Sequence, residues 1–392
     1  MKKEISLYIH IPFCVRKCGY CDFLSFAGCS VTEQQLYMKK LFEEIDCYKE
    51  QAKDYQVISI FIGGGTPSLL REGLVEQLFH KLYSVWEMAE KAEVTIECNP
   101  GTLTLQKLAE YRTCGINRLS IGLQSADNEE LKRLGRIHNY EQFVANYKLA
   151  REAGFRNINV DIMAALPGQT QSSFGRTLAK VLELEPEHLS VYSLIIEEGT
   201  QFFQSPELLA ALPSEQVERN MYHYTKTILN GMGYERYEIS NYAKPGYACR
   251  HNQVYWTGGE YLGFGLGASS YWNGLRFENT REMQEYLSEW EDGDITKIRK
   301  NPVPDTRQSQ MEEFMFLGLR LMQGVSAEEF EKRFEQSMEE VYGAVIQTYI
   351  EQGYLKWKQG YLQLTEKGID VSNYIMADFL LDREADTCLE NR

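Results

Sequence analysis

His10-Ile-Pro-Phe-Cys-Val-Arg-Lys-Cys-Gly-Tyr-Cys-Asp22 sets three cysteines, Cys14, Cys18 and Cys21, within eight residues in the spacing Cys-x3-Cys-x2-Cys. Thiolates are soft ligands that select zinc, copper(I) or iron–sulfur clusters. A closed zinc site wants four ligands, commonly from paired Cys-x2-Cys units. A four-iron cube also wants four. Three thiolates leave one iron of a cube without a protein ligand, and an open coordination position is where a metal centre does chemistry. Structural zinc or free thiols are the plain alternatives. Zinc would need a fourth ligand from His10 or Asp22, and the position of His10 fits no usual zinc spacing.

Outward from this run, six short segments read as buried strands rich in β-branched and aromatic residues, without clean alternation. They are Leu7–Ile11, Ile58–Ile62, Val94–Glu97, Arg118–Gly122, Asn157–Ile162 and Leu189–Leu194. Helical patterns lie between them. Thr32 with Gln35 forms a capping-box signal, and Leu131–Ala153 reads as one helix stopped by Gly154. Strand–helix alternation implies a parallel sheet with right-handed crossovers.

Each strand runs into reactive or glycine-rich sequence. The first leads to the cysteines, the second to Gly63-Gly64-Gly65-Thr66-Pro67, and the third to Glu97-Cys-Asn-Pro-Gly101. The fourth reaches Gln124, and the fifth carries Asp161. A doubly wound sheet concentrates its chemistry at one switch point, whereas a barrel gathers it from every strand end. The expected fold is therefore α/β, a partial (βα)6 barrel over residues 1–230. A Tyr- and Gly-rich middle region follows at 231–300, with Asn301–Gln310 as a linker. Residues 311–384 read as a small C-terminal winged-helix-like α+β module, with a hairpin of Leu355–Lys358 and Tyr361–Leu364, and Ala385–Arg392 as a tail.

The chain has 392 residues and a net charge of −15, which argues against nucleic acid, whose binding rests on phosphate neutralisation. The C-terminal module is itself net acidic, so its likeness to a winged helix does not imply DNA. No apolar run is long enough to cross a bilayer, and no signal-peptide core is present. The nine cysteines are odd in number and, outside the triplet, scattered; this points to a reducing cytoplasm, with the other six as plain thiols.

The cysteine spacing, with aromatic Tyr20 before the last cysteine, resembles the radical S-adenosylmethionine (SAM) superfamily. The resemblance implies a [4Fe-4S] cluster on Cys14, Cys18 and Cys21, with SAM chelating the fourth iron. It implies SAM contacts from Tyr8, Tyr20, Gly63, Gly64, Gly65, Thr66, Glu97, Gln124, Arg136 and Asp161. The chemistry suits these types: glycines admit close backbone approach, carboxylates suit an amine and ribose hydroxyls, and guanidinium suits a carboxylate. Each alone reads equally well as a turn, a cap or a surface residue.

The spacing of Gln124, Arg136 and Asp161 resembles the coproporphyrinogen-dehydrogenase-like branch. Oxygen-independent coproporphyrinogen III dehydrogenases carry a further cysteine two residues after the third and a long extension before it. Here Phe23 stands at that position and thirteen residues precede Cys14. His251-Asn-Gln-Val-Tyr-Trp256 is similar instead to the His-Asn-x-x-Tyr-Trp signature of HemW-type heme chaperones. That resemblance implies heme as a third ligand with His251 on its iron, an acceptor hemoprotein, and a reductant such as a flavodoxin or ferredoxin. Peripheral contact with a membrane-bound partner is a further expectation. Imidazole is a standard axial ligand; a hydrogen-bonded core histidine is the ordinary alternative. Porphyrinogen oxidation, or other SAM-dependent chemistry on a tetrapyrrole, stands as the alternative activity.

Overall fold

The computed structural model describes residues 2–288, 290 and 293–381; Cys388 and the expected tail lie outside them. The chain divides into two units. The first comprises Met1–Glu235, Ser240–His251 and Glu260–Val303, and the second Arg236–Ile239, Asn252–Gly259 and Pro304–Arg392.

Six parallel strands lie side by side in chain order in the first unit: β1 (Lys3–Ile11), β2 (Tyr55–Gly64), β3 (Glu87–Cys98), β4 (Arg118–Gln124), β5 (Ile158–Ala164) and β6 (His188–Ser193). The crossovers carry α1 (Val31–Asp46), α2 (Leu74–Val85), α3 (Leu105–Thr113), α4 (Asn128–Arg133), α5 (Tyr140–Glu152) and α6 (Gln171–Leu182). This is the expected partial barrel, and every expected strand overlaps an observed one. The strands do alternate, contrary to the reading above. Ile60, Ile62, Ile96, Leu119, Ile121, Val160 and Leu189 join the aliphatic core with Leu41, Leu78, Phe143 and Leu178 of the helices. The residues between them, among them Ser6, Ser59, Ser120, Asn159 and Ser190, bond to one another on the opposite face. Both faces are buried, so the period of two was hidden behind a shared low exposure.

Residues 231–300 do not form a body of their own. Glu235–Arg236 and Asn241–Ala243 extend the sheet beyond β6; Tyr261–Phe264, Ser269–Trp272, Leu275–Asn279 and Arg299–Pro304 extend it beyond β1. The expected linker is therefore partly the outermost strand, the kind of position where proline is tolerated in a sheet. Three further readings change at helix ends. Ser30, with Glu33, forms the capping box of α1; Thr32 lies inside the helix. The single helix expected over Leu131–Ala153 is two, α4 and α5, interrupted where Gly135 takes φ of 77°. In the second unit a helix spans Arg307–Gly318, so it begins inside the stretch expected as a linker.

The second unit holds that helix, Ala327–Phe334 and Met338–Glu351 against a three-stranded sheet of Val325–Ser326, Tyr361–Leu364 and Leu355–Lys358. The hairpin has the expected bounds, and Thr365 caps the helix after it through Gly368 N. Phe330, Phe334, Tyr342 and Phe379 form its aromatic core.

Glu44 of α1 ties the added strands to the barrel. Its buried carboxylate accepts hydrogen bonds from Gly265 N (2.8 Å), Asn279 Nδ2 (2.6 Å) and Tyr286 OH (2.6 Å). Burial outweighs these bonds and pushes its pKa from 4.5 up to about 7. The folded state therefore holds this proton more tightly than the unfolded chain, and the group's contribution to stability falls as pH rises from 4.5 to about 7. Replacing Glu44 by Gln removes the titration. Melting temperatures followed by circular dichroism across this range should fall for the native chain relative to Glu44→Gln; parallel profiles would contradict the assignment.

Candidate functional site

The cysteines sit in a loop whose ends are tied together. Phe13–Cys14 pairs in parallel with Phe26–Ala27, and Phe26 N donates to Pro12 O at 2.7 Å. Inside the loop Cys21 N donates to Cys18 O. The loop is pinned to the break between α4 and α5: Gly19 N donates to Leu134 O at 3.2 Å, and Arg16 donates to Gly135 O at 2.6 Å. The same break delivers Arg136. Its guanidinium donates to Asn99 Oδ1 and Gly122 O, both at 2.8 Å, and lies 3.6 Å from Cys18 Sγ. Burial opposes its charge, but Tyr20 and Cys18 beside it prevail and raise its pKa.

The glycine run follows β2. Gly64 takes φ of 116°, and a Cβ there would come within 2.6 Å of His10 Cε1. A Cβ on Gly65 would meet Phe13 O at 2.8 Å and Cys14 Sγ at 3.0 Å, so any side chain would intrude on the cysteine loop. Gly64 N donates to Glu97 Oε2 at 3.1 Å. Glu97 is pushed up to about 8, first by burial and then by the charge of Asp161. Asp161 is also raised by burial, against hydrogen bonds from Asn159, Ser190 and Ser120. Gln124 adopts φ of 73° just after a register shift in the β4–β5 pairing, a backbone strain typical of functional sites.

One cleft at the C-terminal ends of the strands gathers Cys14, Cys18, Cys21, Tyr20, Gly64, Gly65, Thr66, Glu97, Gln124, Arg136 and Asp161. Tyr8 and Gly63 are not on its lining. The Tyr8 hydroxyl bonds His10 Nδ1 at 3.0 Å, and Gly63 makes room for Glu97, whose Oε2 would lie 3.1 Å from a Cβ there. Asn99 and Ser120, absent from the residues expected above, also belong to the cleft. Asn99 Nδ2 donates to Thr66 Oγ1 at 2.8 Å while its Oδ1 accepts from Arg136, so it joins the second strand's loop to the fourth's. The strand-end run Glu97-Cys-Asn-Pro contained the signal for it.

The donor set fits an iron–sulfur cube better than zinc. His10 spends its ring nitrogens on Tyr8 and on Leu24 O at 2.9 Å, so it does not join the thiols. Among the described residues no three such side chains converge on one point as ligands of a single ion would. A cube offers a separate iron to each cysteine. The cleft offers a glycine-lined wall, two acidic side chains and a guanidinium whose Nε has no hydrogen-bond partner in the protein, groups that would suit SAM.

His251 is not in this cleft. It is 1% exposed, its Nδ1 lies 2.9 Å from Ser59 Oγ, and its ring lies 5.2 Å from that of Phe61. Burial and the charge of Arg118 lower its pKa to about 3. The geometry is that of a core histidine and does not support the expected heme ligand.

Replacing Cys14, Cys18 or Cys21 by Ser should abolish the visible charge-transfer band and the roughly four irons per chain that anaerobic reconstitution delivers. Cys249→Ser and Cys98→Ser should leave both. Full iron content in any triplet variant would remove that cysteine from the ligand set.

Residues 8–181 match the description Radical SAM superfamily, and residues 305–371 match the HemN C-terminal domain. The heme chaperone HemW of Lactococcus lactis is 37% identical over 97% of this chain and 99% of its own length. HemW of Escherichia coli is 37% identical over 96% and 98%, and that of Bacillus subtilis 34% over 96% and 99%. Among solved structures, the radical SAM enzyme coproporphyrinogen III oxidase (HemN) of Escherichia coli aligns with a TM-score of 0.85 over 97% of this chain and 91% of that one, at 24% identity. That likeness bears on the fold, whereas the full-length identities to the chaperones decide the family. The chain belongs to the HemW-type family of the radical SAM superfamily.

Proposed function

We propose that the protein is a heme chaperone that holds a [4Fe-4S] cluster on Cys14, Cys18 and Cys21, binds SAM beside it, takes up heme and passes it to an acceptor hemoprotein. Full-length likeness to heme chaperones carries this reading. Phe23 supports it. Where the dehydrogenase pattern has a further cysteine, this side chain is apolar, 64% exposed and on the cleft lining. When bound, the cluster and SAM supply one-electron chemistry, which calls for a reductant such as a flavodoxin or ferredoxin.

The chain's own residues divide the work of binding. Gly64 and Gly65 leave the backbone of their loop open to SAM, and Glu97 and Asp161 face its amine and ribose hydroxyls, with Gln124 as a further partner. Arg136 fixes Cys18 and offers a charged donor to the SAM carboxylate. Cytoplasmic residence fits the free thiols. Among the described residues no helix is long and apolar enough to cross a membrane, and nothing supports the peripheral membrane contact expected above.

Heme is expected to bind without His251 as its ligand, because the imidazole would first have to leave Ser59 and Phe61. The test is a titration of heme into the anaerobically reconstituted protein, with coproporphyrinogen III turnover measured in parallel. Stoichiometric uptake without decarboxylation is the expected result; protoporphyrinogen formation without uptake would establish the dehydrogenase reading instead. In the same assay His251→Ala should retain uptake and melt at lower temperature. Loss of uptake from a folded His251→Ala protein would return the imidazole to the iron.

A further inference from the structure

Interiors of βα barrels are usually filled with branched aliphatic side chains. Below the cleft, this one is filled with polar groups. Ser59 Oγ donates to Ser6 Oγ at 2.7 Å and meets His251 Nδ1. Asn159 bonds Ser120 at 2.7 Å, Asp161 at 2.7 Å, and His188 Nδ1 at 2.6 Å. His251 is held in place by Glu93 on β3, whose carboxylate accepts from Arg250 N and His251 N, both at 3.1 Å, and from Cys249 Sγ at 3.3 Å.

Arg118 lies within this layer. It is 1% exposed and opposes Thr95 in register, with Ser120 opposing Glu97 one step nearer the cleft. Ser120 in turn donates to Asp161 Oδ2 at 3.2 Å. Arg118 is thus the base of the ladder that ends in the two carboxylates of the cleft, and its charge acts on both of them. Tyr8 on β1 and Cys98 beside Glu97 face the pair, and Arg136 shares the cleft with it, donating to Gly122 O, whose residue is the register partner of Asp161; His188, His251 and Glu93 belong to the layer beneath. Burial keeps the two histidines neutral, and neither the phenol nor the thiol carries positive charge.

We propose that Arg118 is a positioning residue for SAM: from the floor of the barrel it supplies the fixed positive charge that lets Glu97 and Asp161 meet the ligand as carboxylates. The inference rests on the reading that the cleft binds SAM. With Glu97 and Asp161 ionised, the two acids outnumber the guanidinium below them. SAM brings a sulfonium, a permanent positive charge that ionised carboxylates attract. Without Arg118 both carboxylates would hold protons more tightly, and each bound proton would oppose an incoming cation.

The experiment is the dissociation constant of SAM itself, by calorimetry on the anaerobically reconstituted protein from pH 6.5 to 9, for the native chain, Arg118→Met and Arg118→Lys. In Arg118→Met the pH at which binding reaches half its plateau should rise by about one unit or more, the usual effect of removing a nearby opposite charge. Binding near neutral pH should weaken about tenfold. Arg118→Lys should keep the native midpoint. An unchanged midpoint in Arg118→Met, or equal shifts in both variants, would assign Arg118 to packing alone. If Arg118→Met does not fold, Arg118→Met/Glu97→Gln must regain the fold, because removing a negative charge removes the need for the cation; failure to do so overturns the proposal. Absence of SAM binding by the native chain at every pH would instead refute the reading of the cleft.

Discussion

Glu97 and Asp161 stand deep between the strands, and the interior around them must answer their charge. An ionised carboxylate taken from water costs several kcal/mol unless hydrogen bonds and opposite charge compensate it. Much of the first unit can be read as that compensation. The outward residues of each strand are aliphatic and bury against helices, while the inward ones are serine, asparagine, histidine and arginine. Glu93 fastens Cys249, Arg250 and His251 beneath, so the floor is closed by a neutral imidazole. Backbone at Gly64 supplies the hydrogen bond that Glu97 lacks from side chains.

The upper half of the site depends on an interruption. Gly135 stops α4, and the turn that follows carries Arg136 back over the cysteine loop. Leu134 O and Gly135 O accept from Gly19 and Arg16, so the turn and the loop hold each other. A continuous helix would keep Arg136 on a solvated face and leave the loop around Cys18 without its anchor.

The cysteine triplet, the six strands, the glycine loop and the C-terminal hairpin were legible because each is a local pattern: ligand spacing, β-branched runs, turn residues. What was not legible depends on tertiary partners. Apolar periodicity runs through Leu131–Ala153 and masks the stop at Gly135, whose left-handed backbone closes α4 through Gly135 N to Lys132 O and Arg136 N to Leu131 O. Asn301-Pro-Val-Pro304 reads as a linker, and it is a strand because the sheet has an outer edge to receive it. Ser30 and Thr32 are rival caps two residues apart, and the glutamate at Glu33 decides for the first. His251 belongs to a motif that suggests a ligand, yet Ser59 and Phe61, nearly two hundred positions earlier, enclose it. Asn99 takes its role from Thr66 and Arg136, which only the fold brings to its two amide atoms.

The central claim is that three cysteines hold a four-iron cluster whose fourth iron is open to SAM. Electron paramagnetic resonance of the dithionite-reduced, reconstituted protein, recorded with and without SAM, tests it most directly. The account predicts a reduced-cluster signal whose g-values change when SAM is added and which is absent when the triplet is replaced by serine. A signal indifferent to SAM, or a protein that takes up zinc and forms no cluster, would contradict it.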